Sequence, residues 1–177
     1  MPKLFVAVDL PRDATSRLVG IQPPPTAGVR LVSLEQMHLT LHFIGETNLE
    51  QVADGLQAVV GSSFPLFVDV VGRFASAAGS VTLWAGVRVT SELLRLYDAI
   101  ATALAPTGFQ PEARPYSPHI TLARCERGVP MGFIEEFVAR NAQFELPSIP
   151  ITEFVLYSSE FVGGVPKYRR ERSFRLQ

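Results

Sequence analysis

A four-residue pattern that occurs twice in the chain constrains the fold more than any other feature of the sequence. His38-Leu39-Thr40-Leu41 corresponds to His119-Ile120-Thr121-Leu122, which lies 81 positions later. In both copies polar and apolar residues alternate with the period of a half-buried β-strand. The same offset relates Phe5, in the first predicted strand, to Gly86, in a later one. One order of elements (strand, helix, loop, His-x-Thr strand, helix, strand) therefore runs twice, which indicates an internal repeat.

Predicted strands and helices alternate along the chain. Runs of β-branched and aromatic residues predict strands at 4–10, 29–32, 38–45, 64–71, 80–89, 118–123, 151–158 and 168–176. Apolar residues on one helical face predict helices at 11–18, 47–61, 91–104 and 131–141, the second beginning with a capping box at 47–50. This order predicts an α+β fold of two similar lobes, each a mainly antiparallel sheet backed by helices. A pseudo-twofold axis would relate the lobes, with the active-site cleft between them.

Composition limits the class of protein. A chain of 177 residues corresponds to about one domain, since domains average roughly 150 residues, so we expect a single bilobal domain over 1–177. Its single cysteine excludes an internal disulfide framework and favours a reducing, cytoplasmic setting. A net charge of −1 argues against a protein that coats nucleic acid. The apolar run at 4–8 is too short for a signal peptide or a membrane span.

Two of the three histidines occupy the equivalent motif positions. Residues i and i+2 of a strand share a face, so each motif presents one imidazole and one hydroxyl together. Two imidazoles that flank a cleft can act as general base and general acid, while threonine hydroxyls donate hydrogen bonds to a phosphate. A single strand histidine is more often structural. The duplication, without metal-ligand spacing or a phosphate-binding glycine loop, favours phosphodiester cleavage that needs no metal or cofactor.

The motifs and their flanks resemble a known family. Residues 38–46 (HLTLHFIGE) and 118–124 (PHITLAR) are similar to the two signatures of the 2H phosphoesterase superfamily. More narrowly, they resemble the RNA 2′,3′-cyclic phosphodiesterases, also called 2′-5′ RNA ligases. The resemblance extends to residues 4–8, 81–87 and 157–168.

This resemblance implies hydrolysis of a terminal 2′,3′-cyclic phosphate to a 2′-phosphate, with 2′-5′ ligation as the reverse reaction. It implies that His38 is the proton donor to the leaving 3′-oxygen and that His119 is the proton acceptor that activates water. Thr40 and Thr121 would hold the phosphate. RNA 3′ ends or 2′,3′-cyclic nucleotides would be the partners, and we expect the protein to act as a monomer.

Three further residues are weaker candidates for substrate binding. By simple alternation His42 shares the face of Thr40, where it would contact substrate or stand exposed at the rim. Arg124 could contact phosphate or base, but alternation puts it opposite His119, so a bulge or a strand end would be required. Tyr168 could stack on a base, or it could belong to the core or the lobe interface.

Other features favour ordinary interpretations. The basic residues near the end of the chain favour a solvated edge strand over an RNA-binding surface: Lys167, Arg169, Arg170, Arg172 and Arg175. Cys125 is interpreted as a buried or incidental thiol. A second function stays open, a nucleotide- or RNA-binding module that uses the two motifs only to hold phosphate.

Overall fold

The computed structural model describes residues 1–177, which form ten strands and four α-helices. The strands are β1 Lys3–Asp9, β2 Val29–Leu31, β3 His38–Glu46, β4 Phe64–Leu66, β5 Val68–Ala75, β6 Val81–Val87, β7 His119–Cys125, β8 Ile149–Ile151, β9 Glu153–Val162 and β10 Val165–Arg175. The helices are α1 Arg12–Ile21, α2 Leu49–Leu56, α3 Ser91–Leu104 and α4 Met131–Arg140. Every strand pairing is antiparallel, and the predicted α+β class is confirmed.

Two four-stranded sheets carry the two motifs. The first sheet has the order β10-β9-β1-β3, and the second has the order β5-β6-β7-β2. The motif strand β3 lies beside β1, and the motif strand β7 lies beside β6. The flanking strand on the far side is β9 in the first sheet and β5 in the second. Three strands of each sheet therefore have the same arrangement, and β4 and β8 form a separate pair.

Alternating apolar residues turn one face of each sheet toward the core. In β6, for example, Val81, Leu83, Ala85 and Val87 are buried while the residues between them are half-buried. One continuous cluster of 35 buried residues includes side chains from both sheets and all four helices. Burial of apolar surface stabilises by about 25 cal/mol per Å². Both motif strands are thus anchored in a single shared core, with their polar residues on the opposite face.

Helix α2 differs from the prediction at both ends. Its N-cap is Asn48, whose side chain accepts a hydrogen bond from the Gln51 amide at 3.0 Å, so the predicted capping box of Thr47 and Glu50 is wrong. The helix ends at Leu56 rather than near residue 61. Beyond that point the amides of residues 57–59 bond three residues back, which tightens the chain into turns. The predicted strand at 64–71 is also divided, because β4 pairs with β8 whereas β5 pairs with β6.

The last two strands form a hairpin longer than the predicted strands. Gly163 and Gly164 have φ values of 60° and 79°, which suits a tight two-residue turn between antiparallel strands. Strand β10 is the edge of the first sheet, as the basic residues predicted. Its Arg170 pairs with Asp9 and Glu153, so this part of the run is neutralised by carboxylates. No helix of the structure is long and apolar enough to cross a membrane.

Candidate active site

A cavity of about 1220 Å³ lies between the polar faces of the two sheets. Its lining includes all seven residues singled out from the sequence: His38, Thr40, His42, His119, Thr121, Arg124 and Tyr168. The threonines of both motifs are half-buried there. The structure therefore brings the two motifs together at one cleft, although the seven residues do not all contribute in the predicted way.

His38 sits in an aromatic enclosure on the first sheet. Its ring stacks on Phe5 with 5.0 Å between centroids, and Tyr168 meets it edge-on at 5.3 Å. Its Nε2 lies 3.1 Å from Oγ1 of Thr40. Burial lowers the pKa of His38 to about 4, although the charge of Asp9 and a hydrogen bond to the backbone of Gln36 oppose that shift. The imidazole is therefore neutral at pH 7 in this structure.

Asp9 is held in place behind His38. It lies opposite His38 in the register of β1 and β3. The Tyr157 hydroxyl donates a hydrogen bond to Asp9 Oδ1 at 2.5 Å, and the Arg170 guanidinium pairs with the other carboxylate oxygen. Burial and the adjacent Asp9 raise the pKa of Tyr157. The carboxylate is thus committed to Tyr157 and Arg170 and acts on His38 through its charge.

His119 has a different environment on the second sheet. Its Nδ1 lies 2.8 Å from the Ser117 carbonyl oxygen, which can only accept a hydrogen bond. Nδ1 therefore carries the proton, and the neutral ring has an unprotonated Nε2. Phe74 meets the ring edge-on at 4.9 Å, and Trp84 lies beside it at 6.4 Å. The arrangement suits a proton acceptor.

A β-bulge interrupts each motif strand at the same place. In β3 the pairing passes from Thr40 to His42 and leaves Leu41 unpaired. In β7 it passes from Thr121 to Ala123 and leaves Leu122 unpaired. Because a bulge adds one residue to a strand, every side chain beyond it changes face relative to simple alternation.

The bulges determine on which face of the sheet two of the weaker candidates, Arg124 and His42, lie. Arg124 now faces the cleft on the same side as His119, through the bulge that the sequence required. In the first motif the corresponding position is Phe43, which is 68% exposed and lines the cavity. The prediction that His42 shares a face with Thr40 is wrong, and so is its exposure at the rim, since His42 is only 4% exposed.

His42 belongs to an aromatic column beneath the cleft. Its Nε2 donates to the Tyr97 carbonyl at 2.8 Å, and its ring stacks on that of Tyr97 at 3.9 Å. Burial lowers the pKa of His42. Tyr97 in turn stacks on Tyr116 at 4.2 Å, and the Tyr116 hydroxyl donates to the Thr40 carbonyl at 2.9 Å. The column therefore connects the first motif to the segment that leads into His119.

Sequence reasoning missed Phe43 and Tyr116 as residues of the site. The signal for Phe43 was indirect, because the bulge that Arg124 required would expose the residue 81 positions earlier. Tyr168 is half-buried and forms a wall of the His38 enclosure. Cys125 is buried, which raises the pKa of its thiol. No group of three or more His, Cys, Asp or Glu side chains comes together in a way that could hold a metal ion.

Comparisons with known proteins agree with the resemblance of the motifs. Residues 12–160 match the family model of the 2′-5′ RNA ligase superfamily. The chain is 31% identical to the RNA 2′,3′-cyclic phosphodiesterase of Escherichia coli K12, over 94% of this chain and 92% of that protein. It is 27% identical to the protein of that name from Archaeoglobus fulgidus, over 97% and 99%. A crystal structure of E. coli LigT complexed with 3′-AMP superposes with a TM-score of 0.77 at 28% identity, covering 99% and 98% of the chains.

Proposed function

Since this chain belongs to the 2′-5′ RNA ligase superfamily, we propose that it hydrolyses RNA-terminal 2′,3′-cyclic phosphates to 2′-phosphates. Its relatives named RNA 2′,3′-cyclic phosphodiesterase match it over nearly their whole length. The observation that carries the proposal is the meeting of two His-x-Thr strands at one cavity. RNA 3′ ends and 2′,3′-cyclic nucleotides are the proposed partners.

In the proposed mechanism His119 activates water and His38 protonates the leaving group. Nε2 of His119 takes a proton from water while the water oxygen forms a bond to phosphorus. The bond between phosphorus and the 3′-oxygen breaks, and His38 gives its proton to that oxygen. The product carries a 2′-phosphate and a free 3′-hydroxyl. The hydrogen bond between His119 and Ser117 supports the acceptor role, because it places the proton of the neutral ring on Nδ1 and leaves Nε2 as the nitrogen that can accept one.

His38 must be protonated to act as the acid, although its pKa is about 4 in this structure. A cyclic phosphate carries a negative charge, and an anion close to an imidazole favours the charged ring. Substrate binding would therefore raise the pKa of His38 and load it with a proton. Once Nε2 of His38 is protonated, the Thr40 hydroxyl no longer donates to it and can donate to a phosphate oxygen instead. Thr121 would supply the matching donor from the second motif.

Reverse ligation follows from the same pair of groups. In ligation the 5′-hydroxyl of a second RNA takes the place of water: His119 removes its proton, its oxygen forms a bond to phosphorus, and His38 protonates the leaving 3′-oxygen. The product is a 2′-5′ bond, and the same steps in reverse cleave that bond and regenerate the cyclic phosphate.

Identifying the product formed from a 2′,3′-cyclic nucleotide tests the proposed activity. The purified chain is incubated with a 2′,3′-cyclic nucleotide, with and without excess chelator, and phosphorus NMR follows the products. We expect a 2′-phosphate at equal rates in both conditions, and loss of product in the His38→Ala and His119→Ala variants. Binding of the nucleotide without turnover would instead establish the second candidate, a phosphate-binding module. A 3′-phosphate product would contradict the assignment of the leaving oxygen.

A further inference from the structure

The lining of the cleft is more cationic than the chain as a whole. Five cationic side chains line it: Lys3, Arg30, Arg73, Arg114 and Arg124. The one carboxylate in the lining is Glu112, which pairs with Arg114. The whole chain has a net charge of −1, so positive charge is concentrated at this cavity. Such a concentration attracts anionic ligands.

Two of these arginines lie opposite each other on neighbouring strands. Arg30 of β2 pairs in register with Arg124 of β7, and Thr82 of β6 lies on the other side of Arg124. We call these three residues the arginine row. Like charges directly opposite each other destabilise a sheet. Neither guanidinium makes a salt bridge or a side-chain hydrogen bond within the chain, so no carboxylate offsets their repulsion.

The arginine row lies beyond the phosphate site. Arg124 lies past the bulge from Thr121, and their partners on β6, Thr82 and Trp84, are two residues apart, which corresponds to about 7 Å at roughly 3.3 Å per residue. Both arginines are exposed and both line the cavity, with Thr82 beside them as a hydroxyl donor. An anion bound there would be a different group from the phosphate held by the two motif threonines.

We propose that the arginine row binds a second phosphate of the substrate, the one attached to the 5′-oxygen of the terminal nucleotide. In an RNA strand this phosphate is the diester link to the preceding nucleotide. The proposal rests on the proposed function and names its substrate class, because it makes strand ends better substrates than 2′,3′-cyclic nucleosides without a 5′-phosphate. Guanidinium groups suit this role, since they donate paired hydrogen bonds to phosphate oxygens.

Three substrates test the proposal. They are a nucleoside 2′,3′-cyclic phosphate, the same compound with a 5′-phosphate, and a dinucleotide that ends in the cyclic phosphate. The quantity measured is the ratio of kcat/KM for each longer substrate to that of the first. Variants Arg30→Gln and Arg30→Lys are compared with Arg17→Gln, a matched control whose arginine is exposed on α1, outside the cleft and without a salt bridge.

We expect both ratios to exceed one in the unmodified protein and to fall about tenfold in Arg30→Gln, which corresponds to about 1.4 kcal/mol. Arg30→Lys retains most of each ratio, and Arg17→Gln leaves them unchanged. The slope of log kcat/KM against log salt for the dinucleotide becomes shallower by about 0.7 in Arg30→Gln, the value for one phosphate contact with a single strand.

Failure of the subsite can be told apart from failure of the proposed function. If the unmodified protein turns over none of the three substrates, the proposed function fails. If it turns over all three and Arg30→Gln keeps the same ratios and salt slope, the proposal that the arginine row binds a second phosphate is overturned. A dinucleotide whose link is an uncharged methylphosphonate gives the most direct test, because it removes only the charge of the second phosphate. Its turnover at the rate of the natural dinucleotide overturns the proposal, and turnover at the rate of the first substrate supports it.

Discussion

The two motif strands have the same backbone pairing, but different side chains surround their histidines. Both have a bulge at the leucine that follows the His-x-Thr triplet. On the first sheet, aromatic rings enclose His38 and its Nε2 meets Thr40. On the second sheet, the Ser117 carbonyl orients His119 through Nδ1, and the rings of Phe74 and Trp84 lie beside it. Under the proposed mechanism, this difference in environment would let two similar motifs supply an acid and a base.

The same contrast holds at the position beyond each bulge. There the first sheet presents the apolar ring of Phe43, and the second presents the cationic Arg124. At this one position, therefore, the first wall of the cleft presents an aromatic ring and the second presents a positive charge. A ligand with a flat base and several phosphates would match both walls.

Removing either imidazole has the largest expected effect. We expect His38→Ala and His119→Ala each to lower kcat by about 10³-fold, within the range for loss of a general acid or base. The comparison of the two lobes adds that different limbs of the pH profile disappear. His119→Ala loses the acidic limb, which reports the base, and His38→Ala loses the alkaline limb, which reports the acid. Loss of the same limb in both variants would contradict the division of roles.

The enclosure of His38 predicts a pH-dependent stability. Its pKa is 6.5 in the unfolded chain and about 4 in the folded protein, so the unfolded state binds more protons between these values. The free energy of unfolding therefore does not depend on the titration of His38 above about pH 6.5. As the pH drops toward 4, protonation of His38 in the unfolded chain lowers it by about 3 kcal/mol. Urea unfolding of the unmodified protein and of His38→Gln, at pH 7 and pH 4.5, measures the difference.

The His38→Gln variant should lose less stability on acidification, while the remaining dependence includes His42, whose pKa is also lowered. Parallel pH dependences in the two proteins would rule out His38 as the source.

The hydroxyl of Tyr116 links the two lobes and has a smaller expected effect. Tyr116→Phe removes the hydrogen bond to the Thr40 carbonyl and keeps the ring stack with Tyr97. We expect kcat to fall about tenfold with little change in KM, because a hydrogen bond near the upper end of the usual range contributes about 1.4 kcal/mol to the placement of Thr40. Tyr97→Phe is the matched control, since the Tyr97 hydroxyl makes no hydrogen bond within the chain. Equal losses in both variants would show that the hydrogen bond from Tyr116 to Thr40 is not the cause.

Phe43 is expected to have the smallest effect. Phe43→Ala removes an exposed ring at the cleft, and we expect KM for a 2′,3′-cyclic nucleotide that also carries a 5′-phosphate to rise about fivefold, at the low end for base stacking. Because stacking is not a charge interaction, the increase should persist at high salt, whereas that of Arg124→Gln should shrink. Measuring KM for both variants at 50 and 300 mM salt, chosen to be about sixfold apart, separates them. A Phe43 effect that vanishes at high salt would contradict stacking.

Much of this site follows from local patterns that a sequence displays directly. Period-two alternation predicted the strands of both motifs, and the bounds of α3 were predicted at 91–104, as the structure has them. The bulges were not predicted, because an unpaired residue is a property of the register between two strands. That register exposes Phe43 and buries His42 beneath α3. The internal repeat stays a prediction, although both bulges lie at leucines 81 positions apart.

The lowered pKa of His38 also lay beyond sequence reasoning. It depends on rings from three separated strands, Phe5, Tyr157 and Tyr168, which meet only in the folded sheet. The cap of α2 illustrates a smaller limit. Thr47 and Asn48 are both good capping residues, and the path of the chain selects Asn48.

The bulges have a consequence for how such a protein diversifies. Each one sets the residue at 43 or 124 apart from the triplet that precedes it, so these positions can be substituted while the histidine keeps its strand partner. A lineage can therefore exchange a ring for a cation, or the reverse, and acquire a different substrate range in one step. The residues of the triplet and the residue that contacts the rest of the ligand can therefore change independently, although they lie on the same strand.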